Sequence, residues 1–202
     1  MRFDLTPSNA GCRLNSRKRF GVAACVRSLL LLAFLVACPV VQNLRAQVAI
    51  QREYEIKAAY LYNFINYIDW PPDALPAAGG TITIGILGEN PFGTALNPLN
   101  GKQAKGRTLV VKQITDAKEL DQCQIVFISS SEKHRVPELL NQLKNSRVLT
   151  ISETDGFAER GGIINFISER NKVRFEINPD AARALGLTIS SDLLKLAKLV
   201  KS

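Results

Sequence analysis

What most constrains this chain is a series of short runs, "TITIGIL", "TLVVKQI", "IVFIS" and "VLTIS", rich in β-branched residues and spaced by stretches that read as turns or helices. The first is apolar nearly throughout, the pattern of a strand covered on both faces. Gly88 to Asn100 holds a turn or short helix interrupted by Pro-Phe-Gly and Asn-Pro, and Asp116 to Leu120 reads as a helical turn. "SEKHRVPELLNQLK" is a helix whose Val136, Leu139, Leu140 and Leu143 form the apolar side. Strands alternating with helices at these intervals predict an α/β fold, with a mainly parallel central sheet built from right-handed crossovers and flanked by helices on both faces.

Two elements frame that core. From Gln51 to Trp70, "QREYEIKAAYLYNFINYIDW" places Tyr54, Ala58, Leu61, Ile65 and Ile68 at helical spacing, with Tyr60, Phe64 and Tyr67 widening the apolar face. Pro71-Pro72 stops the helix. All 4 tyrosines and the 1 tryptophan fall between Tyr54 and Trp70. Rings with a polar tip suit either a helix packed across a sheet or a surface awaiting a partner, so Tyr54, Tyr60, Tyr62 and Tyr67 are candidate partner contacts. Late in the chain, "GIINFIS" is apolar on both faces except at Asn165, whereas "KVRFEIN" puts Val173, Phe175 and Ile177 on one face and Arg174 and Glu176 on the other. Joined by the polar Ser168 to Lys172, where Asn171 tolerates a positive φ, they predict a C-terminal antiparallel edge hairpin. Asn178-Pro179 then starts a helix that Gly186 ends. Ser190 or Ser191 caps a last helix that buries Leu193, Leu196, Ala197 and Val200, with Lys195, Lys198 and Lys201 on its outer side.

The formal net charge of +8 is local rather than general. Of the 26 Lys+Arg and 18 Asp+Glu, 7 and 1 precede Gln47, which leaves 19 basic and 17 acidic side chains after it. So even a balance is not the field with which nucleic-acid binders gather phosphates. Before Gln47 the order is that of a secretory signal: a basic cluster at Arg17, Lys18 and Arg19, an apolar core from Ser28 to Ala37 ended by Pro39, and a small-residue cleavage site at Ala46-Gln47. Arg27 and Pro39 bound an apolar run shorter than the roughly 20 residues a spanning helix needs. Leu35-Val36-Ala37-Cys38 also resembles a bacterial lipobox, so lipidation at Cys38 stands as the alternative to cleavage after Ala46. Residues 1–46 are therefore expected to be an N-terminal extension and signal peptide, and 51–202 a single α/β domain in the periplasm. Cys12, Cys25 and Cys38 precede the cut. Cys123, left alone, is either a small buried residue at a strand entrance or one half of an intermolecular disulfide.

Enzyme chemistry needs a nucleophile, a base or a metal set brought together, and the sequence displays none. The 1 histidine, His134, is too few for a His-rich metal site and lies 11 positions from Cys123 with no further ligand motif. It reads as a surface residue, with catalysis or pH sensing as the alternative. "GILGEN" lacks the Gly-Lys-Ser/Thr ending of a P-loop and the third glycine of a dinucleotide fingerprint, and Gly88 suits a strand-to-helix turn. In "SSSEKH", Ser129 with Glu132 reads as a capping box. No catalytic, cofactor-binding or metal-binding residue is assigned, and no cofactor is expected.

"KAAYLYNFINYIDWP", "TITIGILGENPFG" and "ISETDGFAERGGIINFISERNKVRFEINPDAARALGLTISSDLLKLAKLV" resemble the YfiR-like (YfiR/HmsC) family of exported bacterial proteins, from about Tyr54 to Val200. The most specific positions are Trp70-Pro71, Gly156-Phe157, Gly161-Gly162, Asn165-Phe166, Arg174-Phe175-Glu176, Asn178 and Ser190-Ser191-Asp192-Leu193-Leu194. By residue type, the glycines set turns, Asn165 and Asn178 satisfy backbone groups, and Ser190 and Ser191 cap a helix. The resemblance implies a homodimeric periplasmic repressor that binds the sensor domain of an inner-membrane diguanylate cyclase and holds it off, lowering cyclic di-GMP and biofilm formation. It also implies an outer-membrane lipoprotein that sequesters the repressor, and a sensor kinase as an alternative partner. The chain departs from the founding repressor in keeping one mature cysteine where that protein uses disulfides. From the residues alone, a periplasmic small-ligand binding protein is the second hypothesis, with a pocket at the carboxyl ends of the strands near Gly88 or Ser129 to Ser131. A hydrolase, the third, lacks a catalytic set.

Overall fold

The structure, a computed structural model, describes residues 47–201. The basic cluster, the apolar core and the Cys38 motif of the leader reading lie outside the described residues. In chain order, helix α1 covers 47–67, followed by β1 (Ile68–Asp69), β2 (Thr81–Leu87), β3 (Gln103–Ala104), β4 (Arg107–Ile114) and β5 (Ile125–Ile128). Then come α2 (Val136–Leu143), β6 (Leu149–Ser152), β7 (Ile164–Glu169), β8 (Lys172–Ile177), α3 (Pro179–Ala184), β9 (Thr188–Ile189), α4 (Ser191–Leu196) and β10 (Lys198–Leu199). Short 3-10 turns at Asn97–Leu99, Ala117–Gln122 and Ser130–Glu132 fill the connections.

The expected sheet is present. Its eight strands run in the order β10-β8-β7-β6-β5-β2-β4-β3, with β4, β2, β5, β6 and β7 mutually parallel and β8 antiparallel to β7. Strand alternation sends successive side chains to opposite faces, and both faces are covered. Ile82, Ile84 and Ile86 of β2, Ile125 and Phe127 of β5, and Leu149 and Ile151 of β6 pack with Leu61, Phe64 and Ile65 of α1. On the other face, Val126 and Ile128 of β5 pack with Val136, Leu139 and Leu143 of α2 and with Leu120, Cys123 and Phe157. The aromatic helix is thus largely core: Tyr60 stacks on Phe64 at 5.9 Å between centroids and meets Phe175 edge-on at 5.2 Å.

The hairpin forms with a tighter turn than the polar run suggests. Ser168, Glu169 and Lys172 join the strands, and only Arg170 and Asn171 remain in the turn, at φ 51° and 58°. Two successive positive φ values match the right-handed twist of the strands they connect. β8 is nearly the sheet's border: β10 adds outside it in parallel, but only opposite Glu176 and Ile177.

Three ends differ from the sequence pattern. The first helix stops at residue 67, because Ile68 and Asp69 straighten to pair with Ile189 and Thr188 of β9; the proline at 71 already biases Trp70 to extended backbone. The last helix stops at Leu196, and Lys198 turns out to meet the buried Glu176 carboxylate at 2.8 Å, which leaves Leu196 65% exposed instead of buried. Ser190, not Ser191, caps α4, its Oγ accepting from the Leu193 amide. Cys123 is a buried free thiol. Burial pushes its pKa up, away from the thiolate that disulfide exchange requires.

Candidate functional site

The carboxyl ends of the parallel strands are where an open α/β sheet usually receives a ligand, at the point where successive connections leave in opposite directions. Here that point lies between β2 and β5, since the chain goes from β2 out to β4 and then returns to the far side of β2. The crevice is closed. Gly88, at φ +86°, approaches Ser131 so closely that an added Cβ would lie 2.4 Å from its Oγ, and the Glu89 amide donates to that same oxygen at 3.0 Å. Ser129 and Ser131 are therefore engaged in local backbone contacts, with the Ser129 Oγ accepting from the Ser131 amide.

One strand further on, an open cavity of about 420 Å3 lies at the ends of β5 and β6. It is lined by Ser130, Lys133, His134, Glu153, Asp155 and Arg160, among others. Among the described residues His134 makes no hydrogen bond to a serine or to Cys123, so no nucleophile-base pair is assembled. Among the described residues no group of three or more His, Cys, Asp and Glu side chains could hold a metal ion.

Behind Glu153 lies a buried cluster that the sequence did not announce. Lys57 of α1, 6% exposed, meets Glu153 at 2.8 Å and Glu53 at 2.7 Å. The Tyr54 hydroxyl donates to Glu153 at 3.1 Å, and burial followed by the Glu153 charge pushes its pKa well above the ordinary phenol range. A second polar row crosses the α2 face of the sheet, where Ser152, Asn165, Glu176 and Lys198 stand side by side on β6, β7, β8 and β10. Asn165 Nδ2 donates to Glu176 at 3.3 Å, while its Oδ1 is buried without a partner.

The motif positions make local packing, turn and capping contacts. Trp70 and Pro71 lie beside β9: Trp70 is 8% exposed, and a Cβ on Gly186 would sit 3.0 Å from Pro71. Gly156 and Gly161 adopt φ +68° and +98°. Gly162 is needed for a different reason, since a Cβ there would fall 2.2 Å from the Phe157 ring. Asn178 caps α3 by accepting from the Ala181 amide and donates to the Ala158 carbonyl at 2.8 Å. Phe166 and Phe175 are core, and Ser191 opens α4. Of the four tyrosines, Tyr54 and Tyr60 are occupied internally, Tyr62 donates to the Gln103 carbonyl, and Tyr67 is 47% exposed. Arg174 lies on the same face of β8 as Glu176, opposite to the face from which Val173, Phe175 and Ile177 meet the α1-side core.

These features define a mainly parallel α/β domain with charged open surfaces and, among the described residues, no assembled catalytic or metal set. The chain belongs to the YfiR/HmsC-like family, whose sequence profile matches residues 54–198. Proteins of this family are periplasmic regulators in general terms. No curated protein matches the sequence. Among solved structures, the chain is similar to a conserved domain protein from Vibrio cholerae O1 biovar El Tor, at 14% identity and TM-score 0.46 over 63% of this chain and 56% of that one. It is also similar to an ABC domain in complex with L-Trp from Streptococcus pneumonia, at 13% and 0.47 over 75% and 60%. A third is a ligand-free, open substrate binding protein with adhesive properties from Clostridium difficile, at 16% and 0.44 over 60% and 55%. The chain thus spans between 55% and 60% of the length of these three. No helix among the described residues is long and apolar enough to cross a membrane.

Proposed function

We propose that this protein is an exported, non-enzymatic repressor that binds the periplasmic sensor domain of an inner-membrane diguanylate cyclase and lowers cyclic di-GMP output and biofilm formation. The observation that carries the reading is the family match over residues 54–198, nearly all of the described chain. The physical mechanism is a population shift. A protein that binds one conformation of a sensor domain better than another biases the equilibrium by that difference, typically about 1–3 kcal/mol, or roughly 5- to 150-fold. An outer-membrane lipoprotein that competes for the repressor reverses the bias by mass action, and the repressor acts as a homodimer. The test is retention of a native envelope fraction on the tagged mature protein, read together with cellular cyclic di-GMP. A cyclase sensor domain on the column and raised cyclic di-GMP on deletion are expected; recovery of a kinase sensor domain instead reassigns the partner, and recovery of no sensor domain with cyclic di-GMP unchanged on deletion overturns the reading.

One observation favours a second reading, a small-ligand binding protein. The cavity at the ends of β5 and β6 presents Lys133 and His134, neither of which has a salt-bridge partner among the described residues. A metabolite that raises the melting temperature of the wild-type protein, but not of a Lys133→Ala variant, would support it.

A further inference from the structure

The sheet ends in a strand that is held by few contacts. From Ala197 to Lys201 no side chain is buried, and Leu199 of β10 is 56% exposed. β10 pairs with β8 only opposite Glu176 and Ile177, reinforced by the Val200 amide, which donates to the Ile177 carbonyl at 2.9 Å. Among the described residues its one side-chain anchor is Lys198, whose Nζ meets Glu176 at 2.8 Å. A segment with so few buried contacts opens at low cost. What it covers is better buried than the segment itself. Glu176 is 6% exposed, and without Lys198 its carboxylate would keep only the Asn165 Nδ2 donor at 3.3 Å. A buried carboxylate left in that state demands a replacement cation.

Beyond β10, the same edge of β8 has no strand partner from Lys172 to Phe175 among the described residues. Open edges take up extended segments through main-chain hydrogen bonds, with alternate side chains setting the choice. The register of β8 assigns that alternation. Val173, Phe175 and Ile177 face α1, where an open groove of about 780 Å3 is lined by Ile50, Ile56 and Val173. Glu176 points to the other face, where Glu169 already stands opposite Lys172. A strand added parallel to β8 would therefore send apolar side chains toward α1 and a cation to Glu176. Over its two residues β10 does the same, with Leu199 opposite Ile177 and Lys198 opposite Glu176.

We propose that β10 is a detachable strap on a strand-accepting edge, and that its release admits an extended segment of a partner protein, apolar at alternate positions and carrying Lys or Arg opposite Glu176. The strap is the template for its own replacement. A longer segment makes the same two pairings and adds main-chain bonds along Val173 and Phe175, which β10 cannot reach because the chain before it is wound into α4. Its apolar side chains cover Ile56 and Val173, where removal from water adds affinity.

The experiment titrates two labelled peptides onto the full mature protein. Leu-Ala-Lys-Leu-Val-Lys copies residues 196–201, and Thr-Val-Thr-Val-Lys-Val sets valines opposite Val173, Phe175 and Ile177 when its lysine lies opposite Glu176. Lys198→Glu releases the strap by placing a like charge against Glu176, and Lys198→Ala removes the cation without adding one. Lys201→Glu makes the same change of charge in the same tail without touching Glu176 among the described residues, and is the control. The valine peptide binds Lys198→Glu at least about tenfold tighter than it binds wild type or the control, with Lys198→Ala between them, and glutamate in place of the peptide's lysine abolishes binding. It also binds tighter than the tail copy, since it pairs with more of the edge. In wild type the Val200 amide exchanges with deuterium well before the amides that join β7 to β8. The Lys198 side chain is 66% exposed, so melting temperatures of the variants stay close to that of wild type. Val200 protection equal to that of the hairpin overturns the strap. Equal peptide affinity for all four proteins, or none for both Lys198 variants, overturns the docking edge and leaves the regulatory reading standing. Self-association of Lys198→Glu in sedimentation assigns the edge to a second copy and overturns the proposal.

Discussion

Replacing Lys57 by methionine tests whether the buried cluster on α1 is held together as its geometry suggests. The substitution keeps the length and most of the apolar stem but removes the cation that Glu53 and Glu153 share at 2.7 and 2.8 Å. The Glu153 side chain is 12% exposed, so it would keep a largely buried charge with only the Tyr54 hydroxyl in contact. The contact of Nζ with the Tyr54 ring, 4.5 Å from its centroid, is lost as well. Removing one partner of a buried pair costs about 3–5 kcal/mol, and partial solvent access at the end of β6 puts the expected value near about 3 kcal/mol. Glu153→Gln should cost less, about 1–2 kcal/mol, because Lys57 keeps Glu53, which can reach water. The double variant carries no stranded charge, so its cost should fall short of the sum by at least about 1 kcal/mol. Urea denaturation of all four proteins gives the cycle, and Lys57→Met should also lower the melting temperature by roughly 6–12 °C for a domain of this size. A loss under about 1 kcal/mol in Lys57→Met, or strict additivity in the double variant, would show that the cluster is solvated and that its burial has been misjudged.

Three further outcomes follow from named contacts. Gly162→Ala should destabilise by roughly 3 kcal/mol because the Phe157 ring cannot retreat from a buried position, whereas Gly161→Ala, with open space around it but φ +98°, should cost roughly 1–2 kcal/mol from backbone strain; equal losses in chemical denaturation would discredit the packing argument. The Cys123 thiol, buried and with its pKa raised, should resist a thiol-reactive dye until the protein is unfolded, and rapid labelling of the native state would contradict that burial. Tyr54 binds its proton more tightly in the folded state than when unfolded. Its contribution is therefore fully present below about pH 10 and is lost as pH rises from the unfolded value through the raised folded one. Melting temperatures of wild type should fall more steeply than those of Tyr54→Phe above that pH, and parallel curves would refute the assignment.

The sheet was legible because its runs of β-branched residues are long enough to carry their own signal, and so was the hairpin, whose one wet face in β8 shows a period of two. Asn171 betrayed the turn, though not its length, since Ser168 and Lys172 are polar in a strand only because they lie at its exposed tip. The short pairings were beyond reach. Two-residue strands such as β1, β9 and β10 have no periodicity, and they exist because a partner strand happens to be near. The same holds for the contact of Lys57 with Glu153, since nothing in the sequence links two residues 96 positions apart.

The two apolar layers on either side of the sheet are unequal: 26 buried side chains make up the α1 side and 11 the α2 side among the described residues. Cooperative units with fewer buried contacts open more often. Amide protons of α2 should therefore exchange with deuterium through local breathing well before those of α1. A binding partner seated on the α1 side would grip the stiffer half, leaving the looser half free to fluctuate while the complex stays intact.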